Sequence, residues 1–338
     1  MELLIETITV ARSARLNVDA VVKSDNPPRR HHYIPEFYQK RWAGSDGRLC
    51  VFAKHRGKVV ALRRHPKQTG FQDRLYSVPD MPPDIASAVE THFFKPVDSR
   101  AADALKLMEA EGNGAEWSPA LRSAWSRFLH SLLVRCPEDL SLFRTGWNQL
   151  LESDPTGQWE ERYRALRQGH HPPTMRAFIE SLPAGRMAYQ AMRAFTDLID
   201  NPSLGKKMNN LAWWVISTST AKHDMFTSDR PIIRTNGLMA DGGHLAIPIG
   251  PRRLFVAAKD QNALDRILAL PINNLVAQVN ESVVSHAIRF VYGRYDGGLR
   301  FVEKHMGGRS EPRLMESVLK PDRHREYIPT VDEILSAP

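Results

Sequence analysis

Cysteine is scarce in this chain. Cys50 and Cys136 are the only two among 338 residues. Two thiols cannot build a disulfide framework or a four-cysteine zinc site, and their scarcity fits a reducing, cytoplasmic compartment. Long apolar runs are also missing. The most apolar stretch, LAWWVIS at 211–217, is far short of the roughly 20 residues a spanning helix needs. The opening MELLIETITVARSARL carries Glu2 and Glu6 and lacks the basic and continuously apolar regions of a secretory signal. Short catalytic signatures are absent too: no GxxxxGK[ST] loop, no strand-linked GxGxxG, no HExxH, no GxSxG and no zinc-finger spacing. Their absence sets aside the best-marked nucleotide-binding, zinc-protease and α/β-hydrolase families. No repeat, heptad run or low-complexity tract is present.

What is present is an ordinary globular composition, 42% hydrophobic and 25% charged, with a net charge of +8. The charge is not spread evenly. Between residues 29 and 67 stand eleven basic residues: Arg29, Arg30, Lys40, Arg41, Arg48, Lys54, Arg56, Lys58, Arg63, Arg64 and Lys67. Only Glu36 and Asp46 oppose them, so this segment carries +9 and the rest of the chain −1. A concentrated basic patch holds phosphates by Coulomb attraction and counterion release. It also serves simply as a solvated face.

The pattern along the chain predicts an α+β protein: an N-terminal β-hairpin and a small C-terminal mixed or antiparallel sheet around a central helical region. Residues 1–28 read as a lead-in with a short strand at 3–10, residues 29–305 as a single domain, and 306–338 as a tail. Pro35 suits the first turn of a short helix, on which Ile34, Phe37, Tyr38 and Trp42 share a face. RLCVFAKH and KVVALRR alternate on either side of Arg56-Gly57 and predict the hairpin. The middle, about 84–210, reads as helices at 86–108, 118–135, 137–150, 159–168, 174–182 and 187–199. Ser118-Pro119 supplies an N-cap and a first-turn proline for the second of these. Later runs at 213–218, 225–227, 232–235, 245–248 and 254–258 predict strands of one small sheet. A helix at 272–288 and closing strands at 290–292 and 299–302 follow.

Several polar residues are candidates for chemistry. His31 and His32 precede the aromatic-rich helix, and adjacent residues point in different directions, so one of them faces any given site. Asp229, in Phe226-Thr227-Ser228-Asp229-Arg230-Pro231, is a carboxylate at a strand end. It is suited to an Asx turn, or to binding metal or orienting a histidine. Glu90 lies near His92 on the first long helix. Arg127, His130 and Arg135 lie on the next, where buried ion pairs are the ordinary explanation. Asn273-Asn274 fits a helix start.

These residues carry a family resemblance. HHYIPEFY at 31–38, followed by Trp42-Ala43 and a strand at 49–52, resembles the opening motif of the DUF4238 family of proteins of unknown function. RFLHSLLVRCP at 127–137 looks like that family's helix ending in Arg-x-Pro, and FTSDRPI at 226–232 its TSDxP element. The strand at 246–250, Asn273-Asn274 and RFVYG at 289–293 are similar to its closing elements. The resemblance spans roughly 31–293 and implies a shared fold, but supplies no reaction. Adjacency to Tyr33 aligns His32 with the family's histidine.

Two functional expectations follow. One is a metal-assisted or general-base hydrolase of a phosphate-containing substrate such as nucleic acid. In it His32 acts as base or ligand to a divalent metal, Asp229 as ligand or orienter, Glu90 as second carboxylate and Arg135 as anion clamp. The other is a non-catalytic module that holds nucleic acid or an acidic protein on residues 29–67. In that case Arg29, Arg30, Lys40, Arg41, Arg63 and Arg64 contact the anion and the motif residues are structural.

Overall fold

A computed structural model describes residues 29–153, 157–183, 185–235, 237–309 and 314–319. The lead-in, with its expected strand at 3–10, and most of the C-terminal tail lie outside the described residues. The fold is α+β, with helices between and beside small antiparallel sheets. Its strands are β1 (Arg30–His32), β2 (Leu49–His55), β3 (Lys58–Arg64), β4 (Phe71–Asp73), β5 (Ala212–Ser217), β6 (Thr227–Ser228), β7 (Ile233–Arg234), β8 (His244–Gly250), β9 (Arg253–Ala258) and β10 (Phe290–Gly293).

The hairpin β2–β3 forms where the alternation predicts it. Its turn is Arg56 and Gly57, with φ of 50° and 82°, the paired left-handed conformation that matches the twist of the flanking strands. The hairpin does not stand alone. β2 pairs with β10, and β10 with β6, giving the order β3-β2-β10-β6 with β3 at an edge. A second sheet has the order β5-β9-β8-β7, and β1 with β4 make a two-stranded ribbon. The late strands expected to form one sheet therefore divide between two. Thr227–Ser228 leaves its neighbours in sequence to pair with β10, because Tyr38 and Asn280 hold the segment there. The Tyr38 hydroxyl donates to the Pro248 carbonyl and accepts from Thr227 Oγ1, both at 2.7 Å. Asn280 Oδ1 accepts from the Phe226 N–H.

The helical middle contains the helices Lys95–Glu111, Pro119–Val134, Pro137–Ser153, Gln158–Leu166, Met175–Ser181, Arg186–Ile199 and Pro202–Asn209. Ser118 caps Pro119–Val134 by accepting from the Leu121 N–H. The expected continuous helix at 86–108 is instead broken into Pro83–Ala86, a π-helical segment Val89–Phe94, and Lys95–Glu111. The expected strand at 299–302 is the start of a helix, Leu299–His305. A short apolar run does not distinguish the two, and here it packs as a helix over Val59 and Ala61 of β3. Gln261–Leu268 is a further helix, capped by Asp260.

One large core joins these parts. Tyr38, Trp42, Trp125, Phe128, Phe195, Phe255 and Tyr292 are all buried in it. The short helix of the opening motif therefore acts as a bolt between both four-stranded sheets and the helical layer. Trp42 adds a hydrogen bond from its indole to the Met225 carbonyl at 2.8 Å. Among the described residues no helix is long and apolar enough to cross a membrane.

Candidate functional site

The residues singled out by sequence fall into two regions of different character: a buried junction and an exposed basic hairpin.

The junction is built on β1 and the ends of two helices. Alternation along β1 turns His31 inward and His32 partly outward. His31 is fully buried, stacked on Tyr76, and its Nδ1 accepts from the Tyr76 N–H at 3.0 Å. His32 keeps a hydrogen bond to the Pro66 backbone, and its Nε2 lies 3.8 Å from Glu36 Oε1. Burial lowers the His32 pKa, with Glu36 opposing and Arg135 and Arg30 reinforcing that shift.

Arg135 has 0% exposure. Its Nε donates to the Tyr33 carbonyl at 2.8 Å and its Nη1 to Asp98 at 2.9 Å, and the rings of Phe94 and Phe128 flank its guanidinium. The structure places this expected anion clamp inside the core, its guanidinium paired with Asp98 and its Nη2 buried without a hydrogen-bond partner. Glu90 lies beside this pair on the π-helical segment. Burial pushes its pKa up to about 7, Asp98 adds to the rise, and Arg135 and Lys95 oppose it. Its Oε2 is buried without a hydrogen-bond partner. A carboxyl group so placed keeps its proton near neutrality.

Asp229 stands elsewhere on the same junction and is 2% exposed. Oδ1 accepts from the Ile288 N–H, and Oδ2 from those of Arg289 and Phe290. Its carboxylate thus closes the turn that leads into β10. Burial raises its pKa to about 6 against the pull of these N–H groups. The Cys136 thiol donates to the Asp229 carbonyl at 3.0 Å, which ties the Arg-x-Pro end of one helix to the TSDxP element. Both Asp229 oxygens are engaged by backbone N–H groups, as the structural alternative expects of a carboxylate at a strand end. Among the described residues, no group of three or more His, Cys, Asp and Glu could hold a metal ion.

Sequence reasoning missed Asp98, Tyr33, Tyr76 and the pair Arg230–Asp139 as members of this junction. No spacing signals them, because each acts on a residue distant in sequence. His130, noted beside Arg127, is half-buried, and desolvation lowers its pKa to about 4. Arg127 pairs with Asp200.

The second region is the basic segment. Three of its eleven cations have acidic partners: Arg29 with Asp73 at 3.8 Å, Arg41 with Glu109 at 2.9 Å, and Arg63 with Asp46 at 2.6 Å. Arg30 lies over the Phe71 ring. Among the described residues Arg30, Lys40, Arg48, Lys54, Arg56, Lys58, Arg64 and Lys67 have no ion pair, and all eight are exposed. Lys58, Leu62 and Arg64 fall on one face of the edge strand β3. Charge there also blocks strand addition from outside.

Fold and site together define an α+β protein with a locked polar junction under its sequence motifs and an unneutralised cationic hairpin at one sheet edge. A family model described as "Protein of unknown function (DUF4238)" matches residues 30–297, and the chain belongs to that family. No curated protein and no solved structure matches it.

Proposed function

We propose that this protein binds nucleic acid through the β2–β3 hairpin and its flanking turns, holding phosphates electrostatically rather than cleaving them. The observation that carries this reading is the set of eight exposed cations without an acidic partner, against three that are paired. Ion pairs within a protein spend charge internally, whereas these eight leave it available to an outside polyanion. Three of them, Arg56 on the tight turn and Lys58 and Arg64 on the edge strand, leave one side open to a long ligand. The hydrolase reading asks for free groups at His32, Asp229 and Glu90. His32 Nε2 and Glu90 Oε2 are without a hydrogen-bond partner, but the three backbone hydrogen bonds that engage both Asp229 oxygens and the burial of Arg135 favour binding over it.

The test is fluorescence anisotropy of labelled DNA and RNA titrated with the full chain from about 50 to 200 mM salt. The expected result is a linear fall of log affinity with log salt. The double variant Lys58→Glu/Arg64→Glu weakens binding to all sequences and makes the slope shallower by about 1 for each phosphate no longer neutralised. Salt-independent binding, or a double variant that behaves as wild type, would overturn the proposal.

A further inference from the structure

We infer that a cavity beside the basic hairpin receives an unstacked base, so that the nucleic acid bound is single-stranded; this inference rests on the nucleic-acid reading above. The cavity has a volume of about 460 Å³, within the roughly 300–1,000 Å³ typical of small-ligand sites. It lies where β10 ends and the loop 293–298 begins. The hairpin is fastened to this loop directly: Arg63 Nη1 donates to the Arg294 carbonyl at 2.6 Å. The face of β3 that carries Val59, Ala61 and Arg63 therefore stands beside the cavity, with Arg294 and Lys222 in its lining.

The lining suits a base. Phe226 and Phe301 form an aromatic wall, with their ring centroids 6.0 Å apart and nearly parallel. Tyr295 is 62% exposed, and the Arg294 guanidinium lies 5.6 Å from its ring centroid. An exposed aromatic beside an arginine offers both a stacking face and a phosphate contact. The loop is flat because it is glycine-rich. A Cβ on Gly298 would stand 2.2 Å from Phe226 Cζ, while one on Gly297 would meet nothing within 4 Å. Gly298 therefore lets the loop lie against the ring, and Gly297 leaves the loop's outer side open.

The polar groups fit as well. The one carboxylate in the lining, Asp224, is neutralised by Arg252. Lys222 is exposed and its ammonium has no acidic partner among the described residues. Asn273 Oδ1 already accepts from the Lys222 N–H at 2.8 Å, which leaves its amide N–H₂ to donate to a base edge. A paired, stacked base cannot reach such a wall, whereas a base in a single strand can.

The experiment compares the full chain on a labelled single strand and on a duplex of equal length at one salt concentration. Duplex carries the higher charge density, so charge alone favours it. The expected result is tighter binding to the single strand. Tyr295→Ala should lower single-strand affinity by about 5- to 150-fold, the range for loss of one stacked base, and leave duplex affinity within about twofold. Ala277→Trp, at an exposed helix position in the lining, should fill the cavity and lower single-strand affinity with Tyr295 intact. Circular dichroism checks that both variants fold. Equal binding of both forms, with neither variant changing it, overturns the base pocket and leaves the phosphate reading standing. Binding of neither form overturns both.

Discussion

Glu90→Gln separates a proton from a charge at the centre of the molecule. Glu90 is 9% exposed, faces Asp98, Arg135 and Lys95, and holds its proton up to a pH of about 7. In the unfolded chain the same group releases its proton near 4.5. Between those two values the native state binds more protons than the unfolded state, so stability falls as pH rises from about 4.5 to about 7 and stays low above that window. At about 1.4 kcal/mol per pH unit, the gap amounts to about 3 kcal/mol. Glutamine has the shape of the protonated acid and never ionises. The variant should therefore exceed wild type by under about 1 kcal/mol near pH 5 and by up to about 3 kcal/mol at pH 8. Urea unfolding of both proteins at pH 5, 6, 7 and 8 measures this. Other titrating groups, including Asp229 and His130, are common to both proteins and cancel in the difference. A stability difference that stays flat across the series would show that Glu90 is ionised in the folded state and would refute the argument.

Asp229→Ala strands the N–H groups of Ile288, Arg289 and Phe290 and should cost about 3–5 kcal/mol in chemical unfolding, whereas Asp229→Asn, which keeps an acceptor, should cost about 1–2; equal costs would remove the turn-closing role. Arg135→Met leaves Asp98 without its cation beside Glu90 and should cost about 3–5 kcal/mol by the same measurement; a neutral result would mean that the pair is not buried.

Local signals are legible in the sequence, and long-range ones are not. The hairpin follows from alternation around Arg56-Gly57, and the helix Pro119–Val134 from Ser118-Pro119, because both are decided within a few residues. The ribbon of β1 and β4 is invisible there. Three-residue strands carry little pattern, and Arg30 finds Asp73 only across the intervening hairpin. The π-helical segment is hidden because Val89, Phe93 and Val97 keep an acceptable helical spacing through it. The junction is half legible. Its members can be named from their motifs, but the partner of each is set by tertiary packing. Arg135 reads as an anion clamp or as one half of a buried ion pair, and nothing near it in sequence announces Asp98 or the rings of Phe94 and Phe128.

The division between junction and hairpin has a physical consequence. Several polar groups in the junction are engaged, Arg135 with Asp98 and the Tyr33 carbonyl, Asp229 with three backbone N–H groups, and Tyr38 with both sheets, while Glu90 Oε2, His32 Nε2 and Arg135 Nη2 are buried without a partner. Desolvated groups so engaged hold a unique packing but have little free energy left to offer a ligand. Eight of the eleven cations of the basic segment are in the opposite state, solvated and without an ion pair among the described residues, and contribute little to stability. Stability and binding should therefore respond to different residues. Junction substitutions lower binding only as far as they unfold the chain, while hairpin and cavity substitutions lower binding in a protein that melts as wild type does. The motifs that mark the family would then hold the platform in place, and the charge that distinguishes residues 29–67 would do the binding.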